Sequence, residues 1–432
     1  MIWNETKECM SRDEMTALQS ARLRKIVDYV YHNTPFYRKK MQELGLLPSD
    51  IKTIEDITKL PFTTKDDLRD NYPFGLFAVP QSQIVRIHAS SGTTGKATVV
   101  GYTRHDLDVW AECVARCFAM TGITSKDIIQ IAYGYGLFTG GLGAHNGAEK
   151  IGAMVVPMST GNSKKLTTMM EDFGVTAIAC TPSYLLHISE VLAQENKIQN
   201  LKLKTAICGA EPWTEKMRND IEQRLGINAF DIYGLSEVMG PGVACDCIHH
   251  KGLHVCEDHF YPEIINSATM QPQAKGELGE LVFTTLTKEG LPLLRYRTKD
   301  LTNIDYDKCE CGRTSVRLGR FKGRVDDMLI IRGVNVFPSQ VEAALVDVKE
   351  VSPHYMMIVD RVNNLDTLEI QLEVKPEYFA DEIKGIEKLT QKISHVISQA
   401  LGINAKIKIV EPKTLVRSEG KAVHVIDKRK LY

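Results

Sequence analysis

Ser90-Ser91-Gly92-Thr93-Thr94-Gly95-Lys96 gathers hydroxyls, glycines and a lysine into one short stretch. Such a loop can turn its backbone amides toward an anion while the hydroxyls donate hydrogen bonds to it. That chemistry suits a polyphosphate. A Walker A loop is excluded, because only Thr93 and Thr94 separate Gly92 from Gly95, and Ala97 stands where the Mg2+-binding hydroxyl would be. Read alone, an ordinary Ser/Thr/Gly hairpin turn has the same composition.

A second concentration is sulfur and imidazole: Cys245, Cys247, His249, His250, His254, Cys256, His259, Cys309 and Cys311. A closed structural Zn2+ site takes four Cys/His ligands, often two of them from one tight turn. Cys309-Glu310-Cys311 beside Gly312 is such a knuckle. The expected ligands are Cys247, His254, Cys309 and Cys311. The C-x-C spacing is tighter than the commoner C-x2-C, and reduced thiols without metal are the other reading.

The third stretch, Tyr133-Gly134-Tyr135-Gly136-Leu137-Phe138 with Gly140, Gly141, Gly143, Ala144 and His145, is aromatic and glycine-rich. Glycines allow close approach to the backbone, and the rings supply an apolar wall for a planar group. Phe138 and Ala144 are expected in the wall, Gly140 beside them and Tyr133 near the mouth. The plainer reading is a glycine-rich turn with aromatic core plugs.

These stretches need a scaffold. With 432 residues, 43% of them hydrophobic, the chain can hold two or three cored domains. Its 53 basic and 54 acidic residues argue against nucleic acid as a partner. Charges in MIWNETKECMSRDEM and the lack of a long apolar run point away from a signal peptide and from the membrane, so a soluble, cytoplasmic protein is expected.

Residues 13–44 read as helix, with a break at Pro35. From 84 onward, short apolar runs (84–89, 128–132, 153–157, 176–180, 205–208, 228–233) alternate with amphipathic helices, the pattern of a mostly parallel, helix-wrapped sheet. After 255, Gly- and Pro-punctuated strands suggest an antiparallel sheet. A last unit contains helix from 339, strands near 354–360 and 367–374, helix 384–400 and strand 406–410. The expected fold class is therefore α/β: a large N-terminal domain 1–325 (helical segment 1–80, α/β core 81–250, β-rich subdomain 251–325) and a small α+β domain 326–432.

SSGTTGK, GAEP (209–212), DIYGLSE (231–237), LRYRTKDL (294–301), GRVDDMLIIRGVNVFP (323–338) and RSEGKAVHVIDKR (417–429) together resemble, in order, the adenylate-forming acyl-CoA synthetase superfamily. Within it the chain is similar to phenylacetate-CoA ligases. The resemblance implies ATP-dependent activation of a carboxylic acid, here an aromatic one such as phenylacetate, to an acyl-adenylate, followed by transfer to coenzyme A. Another aryl or fatty acid, or a carrier-protein thiol as acceptor, is the nearer alternative. A zinc-dependent interaction module without catalysis would leave the loop at 90–96 and Lys421 unexplained.

Both chemical steps build negative charge, so cations and donors should dominate catalysis. The resemblance implies that Lys421 meets the acid's carboxylate and the α-phosphate, and that Glu237 holds Mg2+. Gly209, Ala210, Glu211, Asp231, Tyr233 and Gly234 would surround the adenine, Gly234 also bordering the acid. Asp300 would accept the ribose hydroxyls, with Arg324 nearby. The resemblance further implies a hinge at Asp326 on which the small domain alternates between two poses, with Arg332 and Gly333 lining the path of CoA. Taken singly, each has a plainer reading: Lys421 as a surface lysine, Glu237 as a charge at a helix N-terminus, Tyr233 as core, Asp300 as an ion-pair partner. The match departs at Lys299, where many members have glycine. A homodimer is expected by likeness.

Overall fold

The computed structural model describes residues 1–90, 97–211, 213–325, 329–331, 334–346, 348–362, 365–375, 378, 383–415 and 423–429. Its N-terminal segment is helical, with α1 (Glu5–Glu8), α2 (Arg12–Asn33), α3 (Pro35–Glu43) and α4 (Lys65–Asp70). Ser11 and Glu14 close a capping box on α2. Pro35 ends one helix and opens the next, because its missing N–H is harmless in a first turn. Leu23, Val27 and Val30 of α2 bury against Tyr37, Met41, Leu286 and Leu294.

β1 (Arg86–Ser90) and β2 (Thr98–Tyr102) form an antiparallel pair of their own. The run at 84–89 thus stays out of the parallel sheet expected to contain it. The connection 91–97 is too short for a crossover, which needs about a dozen residues. α5 (Arg104–Met120) follows, capped by Thr103.

Strands and helices then alternate: β3 (Ile128–Ile131), α6 (Thr139–Ile151), β4 (Met154–Pro157), α7 (Ser163–Asp172), β5 (Ala177–Cys180), α8 (Pro182–Gln194), β6 (Thr205–Gly209), α9 (Glu215–Leu225) and β7 (Asn228–Leu235). The strands lie in the order β4-β3-β5-β6-β7, all parallel. All four residues of β5 are buried, as expected of a strand covered on both faces.

The chain continues through β8 (Gly240–Cys245), β9 (Leu253–Val255), β10 (Phe260–Ile265), β11 (Gly279–Thr285), β12 (Tyr296–Thr302), β13 (Ile304–Asp305), β14 (Arg317–Leu318) and β15 (Gly323–Arg324). β8, β9, β14 and β13 extend the parallel sheet antiparallel to nine strands, while β10-β11-β12-β15 form a separate four-stranded sheet. The antiparallel region is therefore split between two sheets.

The last unit holds β16 (Leu329–Ile331), β17 (Val334–Val336), α10 (Pro338–Val346), β18 (Val351–Val362), β19 (Leu365–Val374), α11 (Ile383–Leu401), β20 (Lys406–Val410) and β21 (Val425–Asp427). Met357, Ile370, Leu372, Ile393 and Ile397 give it a core of its own. The fold class is the one expected, an α/β N-terminal portion with antiparallel β structure and a small α+β unit. β21, which has no periodicity of its own, pairs parallel with β18. Among the described residues no helix is long and apolar enough to cross a membrane.

Candidate active site

The carboxyl ends of β6 and β7 lie side by side. A Cβ on Gly209 would sit 2.3 Å from the Ile232 carbonyl oxygen, so only glycine lets the two strands close there. Ala210 follows at φ +71, and Glu211 Oε1 accepts from the Ser183 amide at 2.6 Å, capping the first turn of α8. Asp231, beside Asp246, has its carboxyl pushed up to about 7 by burial, partly offset by a hydrogen bond from Trp213.

Tyr233 lies with one ring face on Phe321, centroids 4.4 Å apart. Its hydroxyl donates to Asp300 Oδ2 at 2.6 Å, and Arg324 Nη1 donates to Asp300 Oδ1 at 2.9 Å. Asp300 and Arg324 are cross-strand partners in the β12–β15 ladder, which holds their side chains together. Three residues from three motifs thus share one carboxylate. Burial and the neighbouring Asp300 push the Tyr233 hydroxyl well above the usual phenol range.

Glu237 lies in the turn between β7 and β8 and is 5% exposed. Its Oε1 accepts from Thr98 Oγ1 at 3.2 Å and lies 3.4 Å from Lys65 Nζ. Thr98 pairs with Ser90 at the last rung of the β1–β2 ladder, so the chain enters and leaves segment 91–96 beside the strand residue that donates to this carboxylate. Lys65 went unnoticed in the sequence: α4, KDDLRD, carries no motif and reads as a solvated helix. Ser91, Gly92, Thr93, Thr94, Gly95, Lys96, Asp326, Arg332, Gly333 and Lys421 lie outside the described residues.

Tyr133, expected near a mouth, is instead 4% exposed, and its hydroxyl has no hydrogen-bond partner among the described residues. Phe138 is on the surface side, 45% exposed, with its ring so close that a Cβ on Gly140 would lie 2.5 Å from it. Ala144 is buried on α6. A Cβ on Gly234 would lie 1.8 Å from the Gly240 carbonyl oxygen at a β-bulge, so the β7–β8 backbone packing alone demands this glycine. Sequence reading also passed over a chain of contacts from the Tyr135 hydroxyl to His145 Nδ1 at 3.1 Å and from His145 Nε2 to Glu149 at 3.1 Å.

Some distance along the nine-stranded sheet, Cys247, His254, Cys309 and Cys311 bring one ligand atom each to within 4.8 Å of one another. Cys247 and Cys309 sulfurs are 3.7 Å apart, and Cys311 Sγ is 3.4 Å from His254 Nε2. Ser315 Oγ holds the other ring nitrogen of His254 at 3.0 Å, the outer support that ligating histidines characteristically have. The remaining candidates turn elsewhere. His250 meets Asp246 at 2.6 Å, His259 meets Thr287 at 2.8 Å, and Cys245 and Cys256 donate to the carbonyls of Cys117 and Gly242.

A sheet whose carboxyl ends gather tyrosine, carboxylates and arginine, followed by a small separate unit, is the layout of an AMP-binding enzyme. Residues 32–286 match the AMP-binding enzyme family and residues 333–429 match the AMP-binding enzyme C-terminal domain. The phenylacetate-coenzyme A ligase of Escherichia coli is 50% identical over 98% of this chain and 97% of its own length. That of Thermus thermophilus is 46% identical over 100% of both. The solved structure of 2-hydroxyisobutyryl-CoA ligase in the postadenylation state with R3-HIB-AMP superposes with a TM-score of 0.92 at 30% identity, covering 98% of this chain and 92% of that one. With 2-HIB-AMP and CoA in its thioesterification state, the same ligase superposes at 0.73. The chain belongs to the phenylacetate-coenzyme A ligase family of AMP-binding enzymes.

Proposed function

We propose that the protein joins an aromatic acid, phenylacetate by the names of its relatives, to coenzyme A at the expense of ATP. The acid's carboxylate oxygen bonds to the α-phosphorus and pyrophosphate leaves. The CoA sulfur then bonds to the acyl carbon and AMP leaves. The observation that carries this reading is the convergence of Tyr233, Asp300 and Arg324 at the carboxyl end of β7, one short turn from the buried Glu237.

In this reading the Asp300 carboxylate, oriented by Tyr233 and Arg324, accepts the ribose hydroxyls. Gly209, Ala210, Glu211 and Asp231 border the adenine, and Ser90 through Lys96 close on the phosphates. Phe138, Gly140, Ala144 and Gly234 border the acid, with Tyr133 behind them. Lys421 offsets charge on the acid and the α-phosphate during adenylation. With 1–325 and 326–432 as the two domains, a hinge at Asp326 withdraws Lys421 and presents Arg332 and Gly333 to CoA. The better superposition on the postadenylation state than on the thioesterification state of 2-hydroxyisobutyryl-CoA ligase supports reading the present arrangement as the first of these two poses.

Glu237 and Thr98 offer hard oxygens suited to Mg2+, which when bound neutralises phosphate charge. The three-sulfur, one-nitrogen set of Cys247, His254, Cys309 and Cys311 fits a closed tetrahedral Zn2+, a brace without part in the chemistry. Exposed Leu44 and Leu47 after α3 supply an apolar surface for a homodimer. The free cysteines suit a reducing cytoplasm.

The test is AMP release from ATP with a panel of acids, with and without CoA. Phenylacetate is expected to give the highest CoA-stimulated turnover. Acid-dependent exchange of pyrophosphate that CoA does not accelerate would instead favour a carrier-protein thiol.

A further inference from the structure

Lys288 is 1% exposed and makes no ion pair among the described residues. Its buried charge feels the carboxylates of Asp106 and Glu237 without pairing directly with either. Its surroundings show what it does there. Nζ donates to the carbonyl oxygens of Glu237 at 3.2 Å and Val238 at 2.9 Å, and lies 4.8 Å from the centre of the Tyr102 ring.

The hydroxyl of that same Tyr102 lies 3.3 Å from the Ser236 carbonyl oxygen and 2.8 Å from that of Met239. Two stacked side chains therefore hold every carbonyl of the turn Ser236–Met239 from the inside. Both are anchored in turn. Tyr102 stacks on Trp110, whose indole N–H donates to the Pro241 carbonyl at 2.8 Å. Asp106, on the helix that carries Trp110, accepts from the Glu289 and Gly290 amides at 2.7 and 2.8 Å, fixing the loop that carries Lys288.

We infer that Lys288, acting with Tyr102, is a positioning residue that clamps the Ser236–Met239 turn so that the Glu237 carboxylate is held toward the divalent ion of the ATP complex. The inference rests on reading Glu237 as the ligand of that ion. A methionine would fill the same space, but would leave two buried carbonyls unpaired and the turn free to rotate the carboxylate away. No part of the motif around Glu237 marks Lys288, which comes from the loop after β11.

The test compares Lys288→Met, Tyr102→Phe and Glu237→Gln in the full chain. Mn2+ binding is titrated by electron paramagnetic resonance with a non-hydrolysable ATP analogue, beside thioester formation from preformed phenylacetyl-adenylate. Lys288→Met is expected to weaken Mn2+ binding roughly 10–100-fold, the range for losing a support of a metal ligand, and Tyr102→Phe to weaken it less. Thioester formation should stay within about twofold of wild type for both, since it does not use the nucleotide's metal. Unchanged Mn2+ binding in Lys288→Met and Tyr102→Phe, with weakened binding in Glu237→Gln, would overturn the clamp. Unchanged binding in Glu237→Gln would overturn the reading beneath it. If Lys288→Met does not fold, Tyr102→Phe, which removes a single hydroxyl, decides.

Discussion

The Tyr233 hydroxyl donates to Asp300 Oδ2 at 2.6 Å, joining β7 of the nine-stranded sheet to β12 of the four-stranded sheet at one carboxylate. The bond, with Arg324 on the other oxygen, fixes the plane of that carboxylate before any ligand arrives. Asp300→Ala should raise the KM for ATP by about 10–100-fold, the worth of hydrogen bonds to a charged group. Tyr233→Phe should raise it less. Steady-state kinetics against ATP reads both, and an unchanged KM in Asp300→Ala would remove Asp300 from the nucleotide site.

Lys421→Ala should slow adenylation by about 10²–10³-fold, the scale for losing one charge-stabilising group in the transition state. Thioester formation from preformed acyl-adenylate should largely survive. Single-turnover measurement of each half-reaction distinguishes them, and equal losses would refute a lysine that serves only the first.

Cys309→Ser removes one sulfur from a set whose ligand atoms lie within 4.8 Å of one another. Wild-type protein purified without chelator should carry one zinc per chain by elemental analysis, and the variant much less. Its melting temperature should fall by roughly 5 °C or more, since metal binding free energy is folding free energy. Zinc-free wild-type protein would eliminate the site.

Asp231 titrates at about 7 in the folded chain against 3.8 for a free carboxyl. Between those values the native state holds the proton more tightly than the unfolded state, so this group makes stability fall as pH rises, and its contribution levels off above about 7. Asp231→Asn should be more stable than wild type at pH 8, with the advantage shrinking toward pH 4. Urea midpoints across that pH range, corrected for the other groups by the wild-type curve, measure it. An advantage that grew on acidification would reverse the assignment.

Glu263 and Arg295 form a buried bidentate pair at 2.9 and 3.1 Å, and the same guanidinium donates to the Thr58 and Leu60 carbonyls. Removing the acid in Glu263→Ala strands a buried cation and should cost about 3–5 kcal/mol. Chemical denaturation gives the number, and a cost below about 1 kcal/mol would mean that the pair behaves as a surface ion pair.

The sequence alone determined the alternation of buried strands with helices and named the four residues that meet at the Cys/His cluster. These are local signals, carried by side-chain period and by residue chemistry within a few positions. Its errors have the same origin. The run at 84–89 carries the right residues for a parallel strand, but its short connection to β2 forces a hairpin, and Tyr133 reads as a rim aromatic until the fold buries it.

Only the tertiary structure decided that Tyr233, Asp300 and Arg324 share a carboxylate, that Lys65 faces Glu237, and that Lys288 and Tyr102 hold one turn from beneath. Those pairings depend on strand order and on register between distant segments. Both are set by how whole sheets pack, and no window of neighbouring residues contains that information.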